Sequence, residues 1–159
     1  MAKYRQGYFK PINPKKYIGD AKNIVYRSWL EFRFMSRLDT DPTITKWASE
    51  EFFIPYTIPG ERKSRRYFID LFFEKTINGK SKKFICEVKP HAQCSPPKKT
   101  GTQKRYLTEA AAYSMNRAKW KAAIQWGKER DCKFIIWTEK DLPNGGKKAR
   151  KRVSKNRKK

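Results

Sequence analysis

Two carboxylates and a lysine near the middle of the chain have the types and the spacing of a hydrolytic site. Asn78-Gly79 favours a two-residue hairpin turn, because the type I′ turn needs positive φ at both central residues. Such a turn pairs each residue i with residue 157 − i, so Asp70 falls opposite Glu87 on one face of the hairpin. Lys89 shares that face because side chains alternate along a strand.

The chemistry that this cluster suggests is metal-assisted cleavage of a phosphodiester. Two facing carboxylates repel each other unless a cation lies between them, and carboxylate oxygens suit Mg²⁺, with Mn²⁺ as a substitute. The backbone carbonyl of Val88 is a candidate further ligand. A bound metal polarises the phosphate and lowers the pKa of water, and Lys89 is suited to orienting that water or stabilising phosphate charge.

Simpler interpretations of the same residues stay open. Asp70 and Glu87 would also suit pairing with lysines of neighbouring strands, and a one-residue bulge would break their alignment. Glu-x-Lys recurs at Glu61-Arg62-Lys63, so the tripeptide alone is weak support for a nuclease. His91, the only histidine, is expected in a loop, and Cys86 is expected to point away from Glu87 into the core.

An amphipathic helix precedes these strands. Its apolar residues recur at intervals of four: Leu30, Phe34 and Leu38. Ser28 is the predicted N-cap, and Asp39-Thr40-Asp41-Pro42 ends the helix because proline disfavours helix in the residue before it. Glu31 lies at the margin of the apolar stripe and is a candidate third carboxylate. Of Glu50 and Glu51, one is expected to face solvent, and the other either joins the site or neutralises lysines.

The remaining patterns predict an ordered series of elements. Residues 1–19 are expected to form an extended arm without regular structure, and residues 91–102 a basic, mobile loop. Short β-branched and aromatic runs predict a meander with strands at 45–49, 52–58, 67–73 and 83–88. An alanine-rich helix is predicted at about 103–115, and Asn116 is the predicted N-cap of another helix with this buried stripe: Trp120, Ala123, Ile124 and Gly127. The continuous apolar run at 134–137 predicts a strand covered on both faces.

Charge indicates the class of partner. Lys and Arg number 39 against 15 Asp and Glu, a net charge of +24, which favours nucleic acid first and an acidic membrane surface second. No stretch reaches the roughly 18 apolar residues of a membrane span, and no secretory signal is recognisable. Three cysteines without a CxxC pair suggest a reducing compartment and no zinc site.

We expect one domain over 1–146 and a disordered basic tail over 147–159, where nine of thirteen residues are basic. The candidates for contact with the DNA backbone lie in the loop, the following helix and the tail: Lys98, Lys99, Lys104, Arg105, Lys147, Lys148, Arg150, Lys151 and Arg152.

Several short motifs also occur in a recognisable order. They are Arg27-Ser28-x-x-Glu31, Trp47-x-Ser49-Glu50, Ile54-Pro55-Tyr56, Arg65-Arg66-Tyr67-x-x-Asp70 and Glu87-x-Lys89-Pro90. This order resembles the PD-(D/E)XK nuclease superfamily and, within it, the head-completion nucleases of T-even-type tailed phages. The resemblance runs from about residue 10 to residue 142 and departs from the superfamily pattern at Ile69, where the namesake proline would precede the aspartate.

The resemblance implies an α/β (α+β) fold, with a mixed central sheet flanked by helices in a restriction-endonuclease-like core. It implies Asp70, Glu87 and Lys89 as the core site and Glu31 as the helix carboxylate. The expected function is a Mg²⁺-dependent DNA endonuclease that completes filled phage heads, and because nothing obvious reads bases, its sequence specificity should be low. Expected partners are DNA and capsid or portal proteins, with no membrane and no small-molecule cofactor.

Two other functions remain alternatives. The chain could be a structural head component that binds DNA ends or the portal without cleaving DNA, or a basic RNA-binding protein of ribosomal type. In the last case the facing carboxylates would be an unexplained cost. The expected location is the host cytoplasm during assembly, with the virion as an alternative.

Overall fold

The computed structural model describes residues 6–143, and its centre is a four-stranded mixed sheet. The helices and strands are β1 (Gly7–Phe9), β2 (Ile24–Tyr26), α1 (Trp29–Thr40), β3 (Ile44–Ser49), β4 (Phe53–Thr57), β5 (Ser64–Phe68), β6 (Leu71–Ile77), β7 (Lys80–Val88), α2 (Gln103–Glu129) and β8 (Cys132–Trp137). The central sheet has the order β3-β6-β7-β8, antiparallel except for the parallel pair β7 and β8. Such a parallel pair needs a crossover, which α2 supplies. The predicted α+β class with a mixed sheet is therefore confirmed.

The hairpin of β6 and β7 has the predicted register. Asn78 and Gly79 have φ values of 51° and 74°, as a type I′ turn requires. Pairing runs from Ile77 with Lys80 to Leu71 with Cys86, and each pair sums to 157. Register over the whole ladder is therefore set by a local turn.

The two faces of the sheet hold different cores. Phe34, Met35 and Leu38 of α1 pack on one face, against Trp47 and Leu71 of the sheet. The other face packs against α2 and the two-stranded ribbon of β4 and β5, which contribute these residues: Ala123, Ile54, Tyr56 and Tyr67. Because side chains alternate along β7, neighbouring residues of that strand point into opposite cores.

The first helix begins and ends as predicted. Ser28 Oγ accepts a hydrogen bond from the Glu31 backbone N–H at 3.1 Å, a contact of the kind that stabilises a helix by about 1 kcal/mol. The helix ends at Thr40, directly before Asp41-Pro42. The Ser28 cap therefore fixes both the start of α1 and the position of Glu31 in its first turn.

The N-terminal arm is more ordered than expected. Among its described residues, β1 pairs with β2, and a 3₁₀ turn spans Pro14–Lys16. Phe9 and Tyr17 are buried in the core beneath α1. Strands of three residues are too short to produce a recognisable alternation, which explains why neither was predicted.

The predicted meander is wrong at its second and third strands, because β3 pairs with β6 and β4 belongs to a separate ribbon. The apolar run at 67–73 is divided between β5, which pairs only with β4, and β6, which belongs to the central sheet. The chain bends at Ile69-Asp70. The alternation of buried and more exposed residues continues through this bend from β5 into β6. The ribbon is thus inserted between two neighbours of the central sheet, and Asp70 lies at the bend.

The predicted break at Asn116 is also wrong, because α2 is one continuous helix capped by Thr102. Asparagine lowers helix stability by only a fraction of a kcal/mol, and neither glycine nor proline interrupts residues 103–126. Within the predicted stripe, Trp120, Ala123 and Gly127 are buried, whereas Ile124 is 46% exposed.

The last strand and the basic loop follow the predictions more closely. In β8, Phe134 packs into the α2 core and Ile135 into the α1 core, so both faces are covered. The loop at 91–102 is largely exposed and contains a short 3₁₀ turn at His91–Gln93. The predicted tail at 147–159 lies outside the described residues.

Candidate active site

A cavity of about 350 Å³ opens where the β6 and β7 ladder ends. It brings together the four predicted site residues Glu31, Asp70, Glu87 and Lys89, and Val88 also lines it. Asp70 and Glu87 lie on the α2 side of the sheet, because they alternate with residues that point into the α1 core. Glu31 reaches the same cavity from the N-terminus of α1, beyond the end of the sheet.

Asp70 is held at the bend that precedes β6. Its Oδ2 accepts a hydrogen bond from the Val88 backbone N–H at 2.8 Å, a side-chain contact just beyond Leu71 and Cys86, the last pair of the ladder. Cys86, next to Glu87 in sequence, is fully buried in the α1 core, as expected from the alternation. The register therefore brings the two carboxylates to one side of the sheet and separates the thiol from them.

Glu87 is almost completely buried, with 4% of its surface exposed, and both carboxylate oxygens have a donor. Lys89 Nζ lies 2.8 Å from Oε1, and the Tyr67 hydroxyl donates to Oε2. Burial, and then the charge of Glu87, raise the pKa of Tyr67, so the hydroxyl remains protonated as a donor. These two contacts fix the orientation of the Glu87 carboxylate.

The cavity carries unfavourable negative charge. Burial raises the pKa of Asp70 well above its ordinary value, Glu87 and then Glu31 raise it further, and the Val88 N–H and Lys89 oppose the effect. Burial also raises the pKa of Glu31. Burial alone would lower the pKa of Lys89, but Glu87 and Asp70 outweigh it and hold this pKa above its usual range. Further positive charge in the cavity would favour the ionised form of Asp70.

Arg27, just before the N-terminus of α1, contacts both Glu31 and Glu50. The Arg27 backbone N–H donates to Glu31 Oε2 at 2.8 Å, and its guanidinium binds Glu50 through two hydrogen bonds of 3.0 and 2.9 Å. Glu50 has a φ of 52°, and its backbone N–H donates to the Ile69 carbonyl next to Asp70. Glu51, by contrast, is exposed and accepts from the Tyr17 hydroxyl at 2.7 Å. Glu50 therefore pairs with an arginine, not a lysine.

The donor set can be compared with what a divalent cation requires. Within residues 6–143, no three His, Cys, Asp or Glu side chains form a group that could hold a metal ion. The buried Asp70 and Glu87 pair nevertheless supplies the carboxylate oxygens that Mg²⁺ prefers, and one or two carboxylates together with water and phosphate commonly suffice for this ion. The pair fits such a cation, and its repulsion would be relieved by one.

Sequence reasoning missed four residues that line the cavity: Arg66, Tyr67, Phe68 and Lys119. The ammonium of Lys119 lies over the rings of Tyr67 and Tyr56, 5.5 and 5.9 Å from their centroids. Tyr67 stands three residues before Asp70, in a motif that the resemblance had already highlighted, so a signal for it existed. No spacing argument connects Lys119 with Asp70, because their proximity depends on how α2 packs on the ribbon.

Those predicted DNA-contact residues that the structure describes are not brought to this cavity. Lys98, Lys99, Lys104 and Arg105 are exposed, and two of them, Lys98 and Arg105, line a separate hollow of about 680 Å³. Arg105 also forms an ion pair with Glu109 at 2.8 Å. The other predicted contacts lie outside the described residues: Lys147, Lys148, Arg150, Lys151 and Arg152.

Comparisons with known proteins agree with this fold and cavity. The family model described as "TnsA-like endonuclease N terminal" matches residues 41–139, a span that includes Asp70, Glu87, Lys89 and Lys119. The chain belongs to this endonuclease family, whose fold is of the restriction-endonuclease type.

More particularly, the chain is 40% identical over 141 residues to the head completion nuclease of Enterobacteria phage T4. The match covers 86% of this chain and 92% of that protein, which confirms the resemblance drawn from the motifs. No solved structure matches the chain significantly. In the described part of the chain, no helix is long and apolar enough to cross a membrane.

Proposed function

We propose that the chain is a metal-dependent DNA endonuclease of low sequence specificity that acts in phage head completion. The observation that carries this proposal is the pair of desolvated carboxylates, Asp70 and Glu87, beside Lys89 in one cavity. Membership of an endonuclease family and 40% identity to a head completion nuclease support the same conclusion. The proposal includes action on DNA in the host cytoplasm, together with capsid or portal proteins, and the relative's name supports its nuclease and head-completion parts.

Asp70, Glu87 and the Val88 carbonyl are the residues that would hold Mg²⁺, or Mn²⁺ in its place, with Glu31 acting through water. The ion, when bound, supplies polarisation of the scissile phosphate and a lower pKa for water. The bond between the Val88 N–H and Asp70 keeps one carboxylate in place at the end of the ladder. The Tyr67 hydroxyl keeps the other carboxylate in place.

The chain supplies its own positive charges beside these carboxylates. Because its pKa is raised, Lys89 stays protonated and is placed to neutralise charge on a phosphate or to orient the attacking water. Lys119 brings a second ammonium, held over two tyrosine rings at the cavity wall. In a partly water-excluded cavity such charges stabilise a developing anion more strongly than they would in water.

Low sequence specificity follows from the kind of group that the surface offers. Lysines and arginines bind phosphates, and phosphate contacts position DNA without reading its bases. With a net charge of +24, binding should depend strongly on salt because each phosphate contact releases counterions. The proposed enzyme therefore selects DNA by charge and shape.

The test is cleavage of supercoiled and linear DNA by the wild type and by Asp70→Asn, with Mg²⁺, with Mn²⁺ and with chelator. We expect metal-dependent cleavage that falls by at least about 10³-fold in Asp70→Asn, while DNA binding persists. Glu74→Gln is the matched control, because Glu74 is a carboxylate of the same hairpin that lies outside the cavity lining. Full activity in Asp70→Asn would disprove the site, and tight binding without cleavage under any metal would favour a structural head protein.

A further inference from the structure

We propose that the outer face of the β4 and β5 ribbon is a stacking platform for unpaired DNA bases. DNA with single-stranded arms or ends would then be preferred over uninterrupted duplex. This inference rests on the proposed function and adds a substrate class to it. The platform consists of Phe53 and Phe68 with the neighbouring Arg66.

The ribbon has two faces of opposite character. Opposed residues of an antiparallel pair share a face, and successive pairs alternate. Ile54 with Tyr67 faces inward, and both side chains are buried against α2. Phe53 with Phe68 and Pro55 with Arg66 therefore face outward. The inward residues are buried in the core and hold the ribbon against α2. The exposure of the outward aromatic residues therefore needs a separate explanation.

Phe53 and Phe68 are 44% and 47% exposed, although phenylalanine is usually buried. Their ring centroids are 5.7 Å apart with an interplanar angle of 54°, so the two rings form one continuous apolar surface. Roughly half of each side chain is open to solvent, which leaves ring surface available to a flat partner. A nucleic-acid base is such a partner, since stacking on aromatic rings contributes to single-strand binding whatever the base.

The positive charge on the outer face of the ribbon favours an anionic ligand. The Arg66 guanidinium lies over the Phe53 ring, 5.2 Å from its centroid, and is exposed. The connecting loop adds two further basic residues, Arg62 and Lys63. Arg65 lies opposite the inward-facing Tyr56 and forms an ion pair with Glu61 at 2.9 Å, so it is not part of the platform. Flat rings beside guanidinium and ammonium groups match a nucleotide, which combines a base with a phosphate.

The platform is continuous with the candidate active site. Arg66 and Phe68 line the cavity that contains Asp70 and Glu87, and Tyr67, between them in β5, donates to Glu87. A base held on the platform would belong to a nucleotide close to the phosphate in the cavity. Bases in the interior of a duplex are already stacked on both sides, whereas an unpaired base can offer a free face. The geometry thus points to cleavage next to a single-stranded segment.

The experiment measures binding of fluorescently labelled DNA to the full chain carrying Asp70→Asn, in chelator, so that no cleavage occurs. Two probes of equal length are compared, a blunt duplex and a forked duplex with two single-stranded arms. The double variant Phe53→Leu/Phe68→Leu keeps apolar side chains but removes the rings. Tyr8→Leu is the control, because it removes an exposed aromatic ring on β1, away from the cavity lining.

We expect the Asp70→Asn protein to prefer the fork and the double leucine variant to bind the fork about tenfold more weakly. Its affinity for the blunt duplex should be unchanged, and the Tyr8→Leu control should bind both probes normally. Phe53→Tyr/Phe68→Tyr should restore the preference, because tyrosine also stacks. This rescue separates loss of the rings from loss of folding, which far-ultraviolet circular dichroism checks independently.

Three results would overturn the platform. They are equal binding of both probes by the parent protein, an equal loss for both probes in the leucine variant, and unchanged affinity of that variant for the fork. If the two leucine substitutions, made in the chain that keeps Asp70, left fork cleavage normal but prevented completion of phage heads, the face would instead be assigned to contact with a head protein. Failure of the nuclease proposal is distinct, because the fork preference would then persist in a wild type that cleaves no DNA.

Discussion

The two ends of the β6 and β7 hairpin carry charge in opposite ways. At the turn, Lys80 and Lys82 are exposed and can be hydrated. At the other end of the same ladder, Glu87 is buried beside Asp70 and Lys89. Exposed charges interact weakly with each other, whereas desolvated charges must be neutralised by a neighbour, a proton or a ligand. In the proposed function, the dense exposed charge recruits DNA, and the buried charge marks the place of the chemistry.

The largest difference in kcat should appear between variants of two lysines at opposite ends of this hairpin. Lys89→Met should lower kcat by about 10²- to 10³-fold, because it removes the ammonium beside Glu87 and the phosphate position. Lys82→Met removes an exposed lysine near the turn and should leave kcat unchanged. Single-turnover cleavage at saturating protein measures both variants. Equal losses would show that the two ends act alike, through general DNA attraction.

Two tyrosines of the ribbon provide a finer contrast. Tyr67→Phe removes the hydroxyl that orients Glu87 and should lower kcat by about tenfold, as loss of a group that orients a metal ligand typically does. Tyr56→Phe is the matched control, because Tyr56 is buried on the same face and also contacts Lys119. Unaltered cleavage by Tyr67→Phe would mean that Lys89 alone positions the carboxylate.

Stability should reveal the cost of the buried charges. With chelator at neutral pH, Asp70→Asn should stabilise the fold by about 1–2 kcal/mol, because it removes a carboxylate whose pKa is raised by burial and by Glu87. A raised pKa means that the folded state binds more protons, so wild-type stability should fall as pH rises from about 3.9 through the folded pKa. Thermal melting across pH measures this slope, which Asp70→Asn should reduce. A less stable variant would contradict the repulsion.

The turn should contribute to stability without contributing to chemistry. Gly79 has a φ of 74°, so Gly79→Ala should destabilise the fold by about 1 kcal/mol through backbone strain. Apart from Gly79 and its two neighbours in the chain, no heavy atom of the described residues lies within 4 Å of the position that the added Cβ would take, so steric overlap does not add to the cost. Cleavage per folded molecule should remain at the wild-type level. Chemical denaturation and cleavage, measured on the same preparation, test both parts.

The sequence predicts those parts of the site that depend on local structure. The Asn78-Gly79 turn sets the register of a ladder whose last pair, Leu71 with Cys86, directly adjoins Asp70 and Glu87, and the Ser28 cap fixes where Glu31 enters the cavity. Each depends on a few adjacent residues. These residues therefore come together as expected, although their chemical roles remain proposals.

The missed features depend on packing between distant segments. Lys119 reaches the cavity only because α2 continues through Asn116 and packs on the ribbon. The ribbon was not predicted, because the alternation of apolar residues continues across the bend at Asp70 and two strands therefore resemble one. Alternation reveals which face a residue takes, but not which partner strand it joins.

The most direct test of the central claim is binding of Mn²⁺, followed by electron paramagnetic resonance in the presence of a non-cleavable DNA. We predict one ion site per chain in the wild type and in Lys82→Met, and at least about tenfold weaker binding in Asp70→Asn. Mn²⁺ binding of equal strength in Asp70→Asn would contradict a metal site at the buried end of the hairpin.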